Sequence, residues 1–496
     1  MIKLFNKTNE PVFLADSSDM KKMDEDCVRR QEISFDELMQ RAAKSVFDCV
    51  IRLGSINKAA ILCGKGNNGG DGYILGSLLS GIGVDVCVID MSGGLSDEKL
   101  QEILSGSDII IDAVFGTGFR GELSGEALRV IKAANQTECK KISIDVPSGV
   151  DCDNGAADIN SFRADLTVTF EFIKRGLVSY PAAEFTGDIE IVSIGFGKET
   201  RDIIFDNHRE SILLSHDYIK SLVNVNDKRK SRNTNKGDFG KLLAVCGSRN
   251  MTGAAYFAAM GALRTGVGLL YLASEEKALD ILQTKLNEPV FVPFADIAES
   301  LDNYNAVLIG PGLGIENSKK IIDIIAGARI ARPPQTIIFD ADGINALCGN
   351  INILNEIKSE KILTPHPGEM ARLCQVSIEE VQNNRITAAS DFARKYNCTL
   401  VLKGANTVIA GKNGGIYINP TGNPGMSKGG SGDILAGMTA SYCAQCSPCK
   451  QGADPVSSAC IAVYLHGLAG DIAARRYSGA GMLPSDMLNI IAEIQR

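Results

Sequence analysis

Two glycine-rich loops, one in each half of the chain, each end in an aspartate. The first, CGKGNNGGDG, runs from Cys63 to Gly72. The second, SKGGSGD, runs from Ser427 to Asp433 and straight into the apolar stretch ILAGMTASY. Glycine lets a backbone approach phosphate closely and adopt positive φ, and the free N–H groups at a helix start add a positive field. An aspartate beside such a loop serves as an acid or a base. Two unrelated loops of this kind point to two coupled activities on nucleotide-like small molecules.

At 496 residues the chain is too long for one ordinary core, so two domains or more are expected. An apolar content of 45% and a charged content of 22% are those of a soluble globular protein. A net charge of -8 argues against a general nucleic-acid binder, which normally shows a basic face. The opening MIKLFNKTNEPVF turns polar within a few residues, unlike an export signal, and the expected location is the cytoplasm. The apolar run Ala254 to Ala273 is long enough to cross a bilayer but contains Arg264, Thr265 and glycines. It reads as a buried helix leading into a strand, and no membrane association is expected.

Fourteen cysteines without an export signal read as small buried hydrophobes in a reducing compartment. Cys443, Cys446 and Cys449 form CxxCxxC, the start of a ferredoxin-like run. The usual fourth cysteine and proline do not follow, and Cys443 falls inside the helix expected after Asp433, so no iron–sulfur or zinc site is expected.

The first half alternates helical and strand patterns. MKKMDEDCVRR and FDELMQRAAKSVFDCVIRL have helical spacing, the latter capped by Ser34. The strand runs AAILC, VDVCVID, DIIIDAVF and KISIDV follow in the βαβ rhythm of a parallel sheet, with glycine and acid motifs at their C-terminal ends. From about Gly197 to Asn235 the pattern degrades into NDKRKSRNTNKGD, an inter-domain segment that still holds one short helix, DYIKSLV. A second series then begins: KLLAVCG, GLLYLAS, AVLIGPG, TIIFDADG, KILTPHPGE, TLVLKGANTVIA and GGIYINP. No fixed period links the halves, so they read as a fusion.

Gly64, Gly66 and Gly69 satisfy GxGxxG, and Asp90 closes the next strand where a ribose-binding acid would sit. A plain dinucleotide-binding domain is therefore one reading. Asn67, Asn68 and Asp71 go beyond it, as do DAVFGTGFRGE (Asp112 to Glu122) and SIDVPSGVDCDNG (Ser143 to Gly155). Asp71 could equally be a helix N-cap, and Asp145 a loop-capping acid. Together GNNGGDG, DAVFGTGFRG and IDVPSGVD resemble the NAD(P)H-hydrate epimerase family over roughly residues 15–205. The resemblance implies that Asn67, Asn68, Gly69, Gly70 and Asp71 hold the hydrated nicotinamide nucleotide. The second loop joins them with Gly116, Thr117, Gly118, Phe119, Arg120, Gly121 and Glu122. It also implies a potassium ion bound around Asn68, Asp112 and Ser148, oxygen ligands that suit a hard cation. Such enzymes interconvert R and S hydrates at C6 of the nicotinamide ring. Reversible loss of the hydroxyl needs an acid or base, and Asp145 is the first candidate.

GGSGD, from Gly429 to Asp433, resembles the GxGD signature of ribokinase-like small-molecule kinases. Around it stand KGDFG, TGAA, GPGLG, DADGINAL, TPHPGE and KGANT, a set that resembles the ADP- or ATP-dependent NAD(P)H-hydrate dehydratases over about residues 215–496. That likeness places Ala255, Gly312, His366 and Asp433 around the hydrate. It places Lys403, Gly404, Ala405, Asn406 and Thr407 with Gly429, Gly430, Ser431 and Gly432 around the adenine nucleotide. Asp433 would deprotonate the substrate hydroxyl, and the glycine amides would hold the transferred phosphoryl group. Asn235 stands where many relatives have histidine, and the N-x-x-E metal motif of ordinary kinases occurs nowhere after residue 236.

The expected architecture is two doubly wound α/β domains, an N-terminal Rossmann-like α/β/α sandwich over 1–210 and a C-terminal ribokinase-like domain over 214–496. The expected function is repair of hydrated NADH and NADPH, with ADP or ATP, and magnesium, in the second domain. A homo-oligomer of tetramer size or larger is expected. Two alternatives stand beside this: a hydroxymethylpyrimidine- or pyridoxal-type kinase fused to a Rossmann binding module, and a non-catalytic nucleotide sensor.

Overall fold

The computed structural model describes residues 12–31, 33–203, 211–226, 232–294, 297, 301–314, 317, 320, 322, 324, 336–446 and 455–495. The chain divides into two compact units, one of residues 2–212 with 382–385, the other of residues 213–381 and 386–496.

In the first unit, β1 (Val12–Ala15) leads into α1 (Ser17–Gln31) and α2 (Phe35–Arg52). Ser34 caps α2 as expected, its Oγ accepting from Glu37 N at 3.1 Å, with Asp36 and Glu37 in the first turn, where the helix dipole favours negative charge. There follow β2 (Lys58–Cys63), α3 (Asn67–Gly81), β3 (Asp85–Asp90), α4 (Asp97–Ser105), β4 (Ile109–Ala113), α5 (Gly125–Gln136) and β5 (Lys140–Ile144). The unit is completed by β6 (Leu166–Phe170), β7 (Ile173–Lys174) and β8 (Asp188–Val192). A parallel sheet runs in the order β3-β2-β4-β5-β6-β8. Central strands of such a sheet are covered on both faces, which is why β4 opens Ile-Ile-Ile before its one polar residue, the buried Asp112. Successive residues feed opposite cores: Ile61 and Ile111 pack with Val46 and Leu75 of α2 and α3, while Leu62 and Ile110 pack with Leu104 and Val130 of α4 and α5.

The second unit follows a short strand β9 (Ser211–Leu213) and opens with α6 (His216–Asn226), the helix expected from DYIKSLV. Its sheet begins with β10 (Lys241–Val245), α7 (Thr252–Thr265), β11 (Leu269–Ser274), β12 (Val290–Pro293), β13 (Ala306–Ile309) and β14 (Thr336–Phe339). The run Ala254–Ala273 is thus a helix and a strand, as its composition required. After α8 (Asp342–Leu347) come β15 (Glu360–Leu363), α9 (Pro367–Cys374), β16 (Thr399–Leu402), β17 (Val408–Ala410) and β18 (Ile416–Ile418). The chain closes on α10 (Ser431–Gln445) and α11 (Pro455–Tyr477), with a last helix at Pro484–Glu493. Strands β12-β11-β10-β13-β14-β15-β16 are parallel, and β17 and β18 turn back antiparallel. TLVLKGANTVIA is therefore a hairpin rather than one strand, because Gly404 (φ 143°) and Asn406 (φ 48°) bend it between Leu402 and Val408. Helix α11 is long and apolar enough to cross a membrane by length and composition, but 78% of its most apolar window is buried.

Both sheets contain a topological switch. In the first unit the order reverses between β2 and β4, and in the second between β10 and β13. Ligand crevices of open α/β sheets form at such points, outside the carboxyl ends of the strands.

Candidate active sites

The first crevice is a cleft of about 1150 Å³ between the loops that follow β2 and β4. Asn67, Asn68 and Asp71 line it from α3, and Gly116, Thr117, Gly118, Phe119 and Arg120 line it from the second loop. Asp145, directly after β5, lines it too, so the three separated motifs converge. Gly66 is the N-cap of α3, and Asp71 lies inside the helix, so Asp71 is no cap. Gly69 and Gly70 sit in the first turns. A Cβ on Gly69 would come 1.9 Å from Gly64 O, so only glycine lets this turn fold against β2. Gly121 and Glu122 lie exposed beyond the lining residues. Arg120 is turned toward Asp153, which it contacts directly, and Asp151 at 3.3 Å. Asp90 accepts from Ser92 N at 2.6 Å and from the Tyr73 hydroxyl, and does not line the cleft.

The acids of this cleft differ in their surroundings. Asp145 Oδ1 accepts from Lys174 Nζ at 2.5 Å, Thr169 Oγ1 at 3.1 Å and Phe170 N at 3.3 Å. Asp71 accepts no hydrogen bond among the described residues. Burial, with Asp145 and Asp24 adding like charge, pushes it up to about 8. Asp24, on α1, is pushed up to about 6 by burial, which Lys174 opposes.

Beneath the second loop, Asp112 is fully buried. It accepts from Ser148 Oγ at 2.6 Å, Ser148 N at 2.7 Å, Val114 N at 3.2 Å and Ser143 Oγ at 3.3 Å. Burial still pushes it up to about 6. Ser148 Oγ in turn accepts from Phe115 N at 2.9 Å, and Asn68 Nδ2 donates to Phe115 O at 2.8 Å. Asn68, Asp112 and Ser148 are thus joined through one loop into an oxygen-rich knot holding a buried carboxylate. A monovalent hard cation fits that donor set.

The second crevice gathers the other acid. Asp433 lies in the first turn of α10, and Gly430, with φ 104°, is the N-cap. A side chain at Gly430 would also collide with the Phe257 ring, at 2.7 Å. Lys403, just after β16, reaches across: its Nζ donates to Asp340 Oδ1 at 2.8 Å and lies 3.9 Å from Glu369 Oε2. A Cβ on Gly432 would sit 3.6 Å from the same Nζ, so the ammonium stands over the glycine loop. Burial works against that charge, and Asp340, Glu369 and Asp433 overcome it, holding Lys403 above its ordinary value. Burial, then Asp340, pushes Asp433 up to about 6, against the pull of Lys403. Thr364 Oγ1 donates to Asp340 at 2.6 Å.

His366 caps α9, its Nδ1 accepting from Gly368 N at 3.0 Å, while Glu369 accepts from His366 N at 2.8 Å. Gly312 packs against Ala254 at the start of α7, and Ala255 against Gly247, so both flank the switch between β10 and β13. Gly404, Ala405, Asn406 and Thr407 form the hairpin turn, closed by Thr407 Oγ1 donating to Gly404 O at 3.0 Å. Ser431 Oγ lies 3.4 Å from Nε2 of the buried His466. Cys443 is buried within α10, Cys446 Sγ donates to Tyr442 O at 3.0 Å, and Cys449 falls outside the described residues. No cluster of three or more His, Cys, Asp or Glu side chains suited to a metal occurs among the described residues.

Known proteins show which family the chain belongs to. The family described as YjeF-related protein N-terminus matches residues 35–94 and 86–176, and the NAD(P)H-hydrate dehydratase family matches residues 242–493. The bifunctional NAD(P)H-hydrate repair enzyme of Moorella thermoacetica is 32% identical, with 98% of this chain covering 97% of that protein. The chain belongs to the bifunctional NAD(P)H-hydrate repair enzymes. A repair enzyme of Thermofilum pendens is 33% identical over 97% of this chain and 95% of its own, and that of Escherichia coli K12 is 30% identical over 92% and 89%. A ribokinase-like superfamily protein of Enterococcus faecalis V583 shares the fold of the second unit, with 26% identity, a TM-score of 0.50, and coverage of 57% of this chain and 95% of that one. The ADP/ATP-dependent NAD(P)H-hydrate dehydratase of Bacillus subtilis, co-crystallized with ATP and magnesium, is 30% identical over 56% of this chain and 97% of its own, with a TM-score of 0.49. Relatives that span nearly the whole repair enzyme carry both activities, which removes the reading as a small-molecule kinase fused to a binding module.

Lys174 and Asp24 escaped the sequence reading because neither sits in a glycine motif. Asp340 and Glu369 lie within DADGINAL and TPHPGE, and their position at strand ends was the available signal.

Proposed function

We propose that residues 1–210 epimerise R- and S-NAD(P)H hydrate and residues 214–496 dehydrate the S form at the expense of ADP or ATP. The observation that carries the residue assignment is the opposite setting of two carboxyls in one cleft. Asp145 takes three hydrogen bonds on one oxygen, while Asp71 is buried without a donor among the described residues and keeps its proton near neutral pH. Asp71 gives that proton to the departing C6 hydroxyl. The ring nitrogen lone pair stabilises the cation left at C6. Asp145 then takes a proton from the water that adds to the opposite face. The proton returns from Asp145 to Asp71 through solvent, which restores the pair, and the net change is inversion at C6 with no atoms gained or lost. Asn68, Asp112 and Ser148 would hold potassium, which would supply positive charge beside the substrate phosphates.

In the second unit Asp433 takes the proton of the C6 hydroxyl as its oxygen attacks the terminal phosphorus of the nucleotide. The bond to that phosphoryl group breaks on the nucleotide side, with Lys403 and the amides of Gly429 to Gly432 facing the developing charge. Phosphate then leaves C6 with the C–O electrons, and loss of a C5 proton restores the dihydronicotinamide ring. Hydroxide is a poor leaving group and phosphate a good one, which is why a nucleotide is consumed. Magnesium would ride on the nucleotide phosphates. The enzyme acts in the cytoplasm on small molecules, apart from nucleic acid and membranes, as a homo-oligomer of tetramer size or larger. Its acidic charge and the burial of its apolar helices support the solution state; light scattering measures the assembly.

Hydrate turnover with ADP and ATP in parallel tests the whole reading. Without donor the chain should equilibrate R and S; with donor both should drain to NAD(P)H. A chain with Asp145→Asn should clear S-hydrate and leave R-hydrate to its slow background conversion. Equal consumption of both epimers by that variant would overturn the division of labour.

The two activities should also fail at opposite ends of the pH range. Dehydration needs Asp433 unprotonated and should fall as pH drops below about 6; epimerisation needs the Asp71 proton and should fall as pH rises above about 8. Parallel pH–rate profiles check both limbs, and coincident profiles would remove these groups from the proton transfers.

A further inference from the structure

Lysine is almost never fully buried unless it is paired. Lys174, the last residue of β7, has a side chain with no exposure at all. All three of its ammonium protons are used: Nζ donates to Asp145 Oδ1 at 2.5 Å, Thr169 Oγ1 at 3.1 Å and Phe170 O at 3.1 Å. The strand carrying it is fixed in register, Lys174 opposite Ala15 of β1.

The arrangement is one-sided. Lys174, Thr169 Oγ1 and Phe170 N all bond Asp145 Oδ1, while Oδ2 takes no hydrogen bond among the described residues. Asp145 also holds φ at 63°, uncommon for a side chain other than glycine, and its N–H donates to Val168 O at 2.8 Å. One oxygen is anchored by three donors, and the residue itself lines the cleft. Asp24 and Asp71 line the same cleft, so Asp145 shares it with both of these carboxyls, and Lys65 and Arg120 are the cations of the lining. A buried carboxylate in that company needs a fixed counter-charge, and Lys174 is its ion-pair partner.

We infer that Lys174 is a positioning residue of the epimerase, which fixes Asp145 by one oxygen so that the other meets the substrate water. The inference rests on the reading of Asp145 as the epimerase base. Nothing in it requires Lys174 to touch the hydrate.

Epimerisation by the full-length chain tests this. Lys174→Met keeps the volume and removes the charge and the donors. Its kcat should fall roughly 10²-fold while KM for the hydrate stays within about threefold, because the lysine lies behind the cleft and not in it. Asp145→Asn should lose a comparable factor. The double variant should be no worse than either alone by more than about threefold, since the two side chains act as one unit. A merely structural lysine would raise KM and lower stability with kcat preserved, and its loss would add to that of Asp145→Asn. Circular dichroism reports folding. If Lys174→Met does not fold, Lys174→Gln, which keeps a donor without the charge, decides by the same split. Normal kcat for these variants beside an impaired Asp145→Asn would overturn the inference alone. Normal kcat for Asp145→Asn would sink the base assignment and the inference with it.

Discussion

Asp433→Asn is expected to lower dehydration of S-hydrate by roughly 10²–10⁴-fold while ADP and ATP still bind. The size follows from what the substitution keeps. Asparagine has the shape of aspartate, and Gly430 rather than residue 433 is the N-cap, so the entry into α10 does not depend on the carboxylate. Losing a negative charge in the first turn costs about 0.3–1 kcal/mol through the helix dipole, too little to unfold a core of this size. Lys403 and the glycine amides remain to hold phosphate. What disappears is the only group at this position able to take the hydroxyl proton. Nucleotide affinity by calorimetry and hydrate turnover by absorbance separate the two effects. Activity within a few-fold of the parent would remove Asp433 from proton transfer. Loss of nucleotide binding would instead make it part of the phosphate site.

The residues that were legible in sequence share one property: they lie in glycine-rich turns, after strands in the first unit and before α10 in the second. Gly64 to Asp71, Gly116 to Arg120 and Gly429 to Asp433 announce themselves because close backbone approach excludes other side chains, as the 1.9 Å meeting of a Gly69 Cβ with Gly64 O shows. Lys174 and Asp24 carry no such mark. Lys174 ends a mostly apolar run and Asp24 sits in the charged helix α1, and only the fold brings both to Asp145. The hairpin at Leu402 to Val408 is marked in TLVLKGANTVIA only by the short KGANT insert between two apolar runs, and its antiparallel pairing appears only in the fold. His366 shows the converse: its two flanking prolines signalled a fixed position, and the structure supplies a local reason for it, the capping of α9.

The knot around Asp112 is the other place where a large effect is expected. Four donors serve this carboxylate, yet burial carries it from its ordinary 3.8 to about 6. A folded-state value above the unfolded one means that ionisation opposes folding. The penalty is absent below about pH 3.8, grows as pH rises between 3.8 and about 6, and levels off near about 3 kcal/mol above that. A potassium ion beside Asp112 and Ser148 would offset that penalty, so its stabilising effect should depend on pH. Thermal unfolding at pH 7.5 should move up when potassium replaces a bulky organic cation, and the same exchange at about pH 4, near the unfolded value, should change little. Asp112→Asn keeps an acceptor for Ser148 N–H and removes the charge. It should abolish the potassium effect and lower epimerisation by roughly tenfold or more through loss of the cation. Dehydration of S-hydrate should be unchanged, because Asp433 belongs to the other compact unit. Potassium-independent melting at both pH values, or normal epimerisation by Asp112→Asn, would take the ion out of the first site.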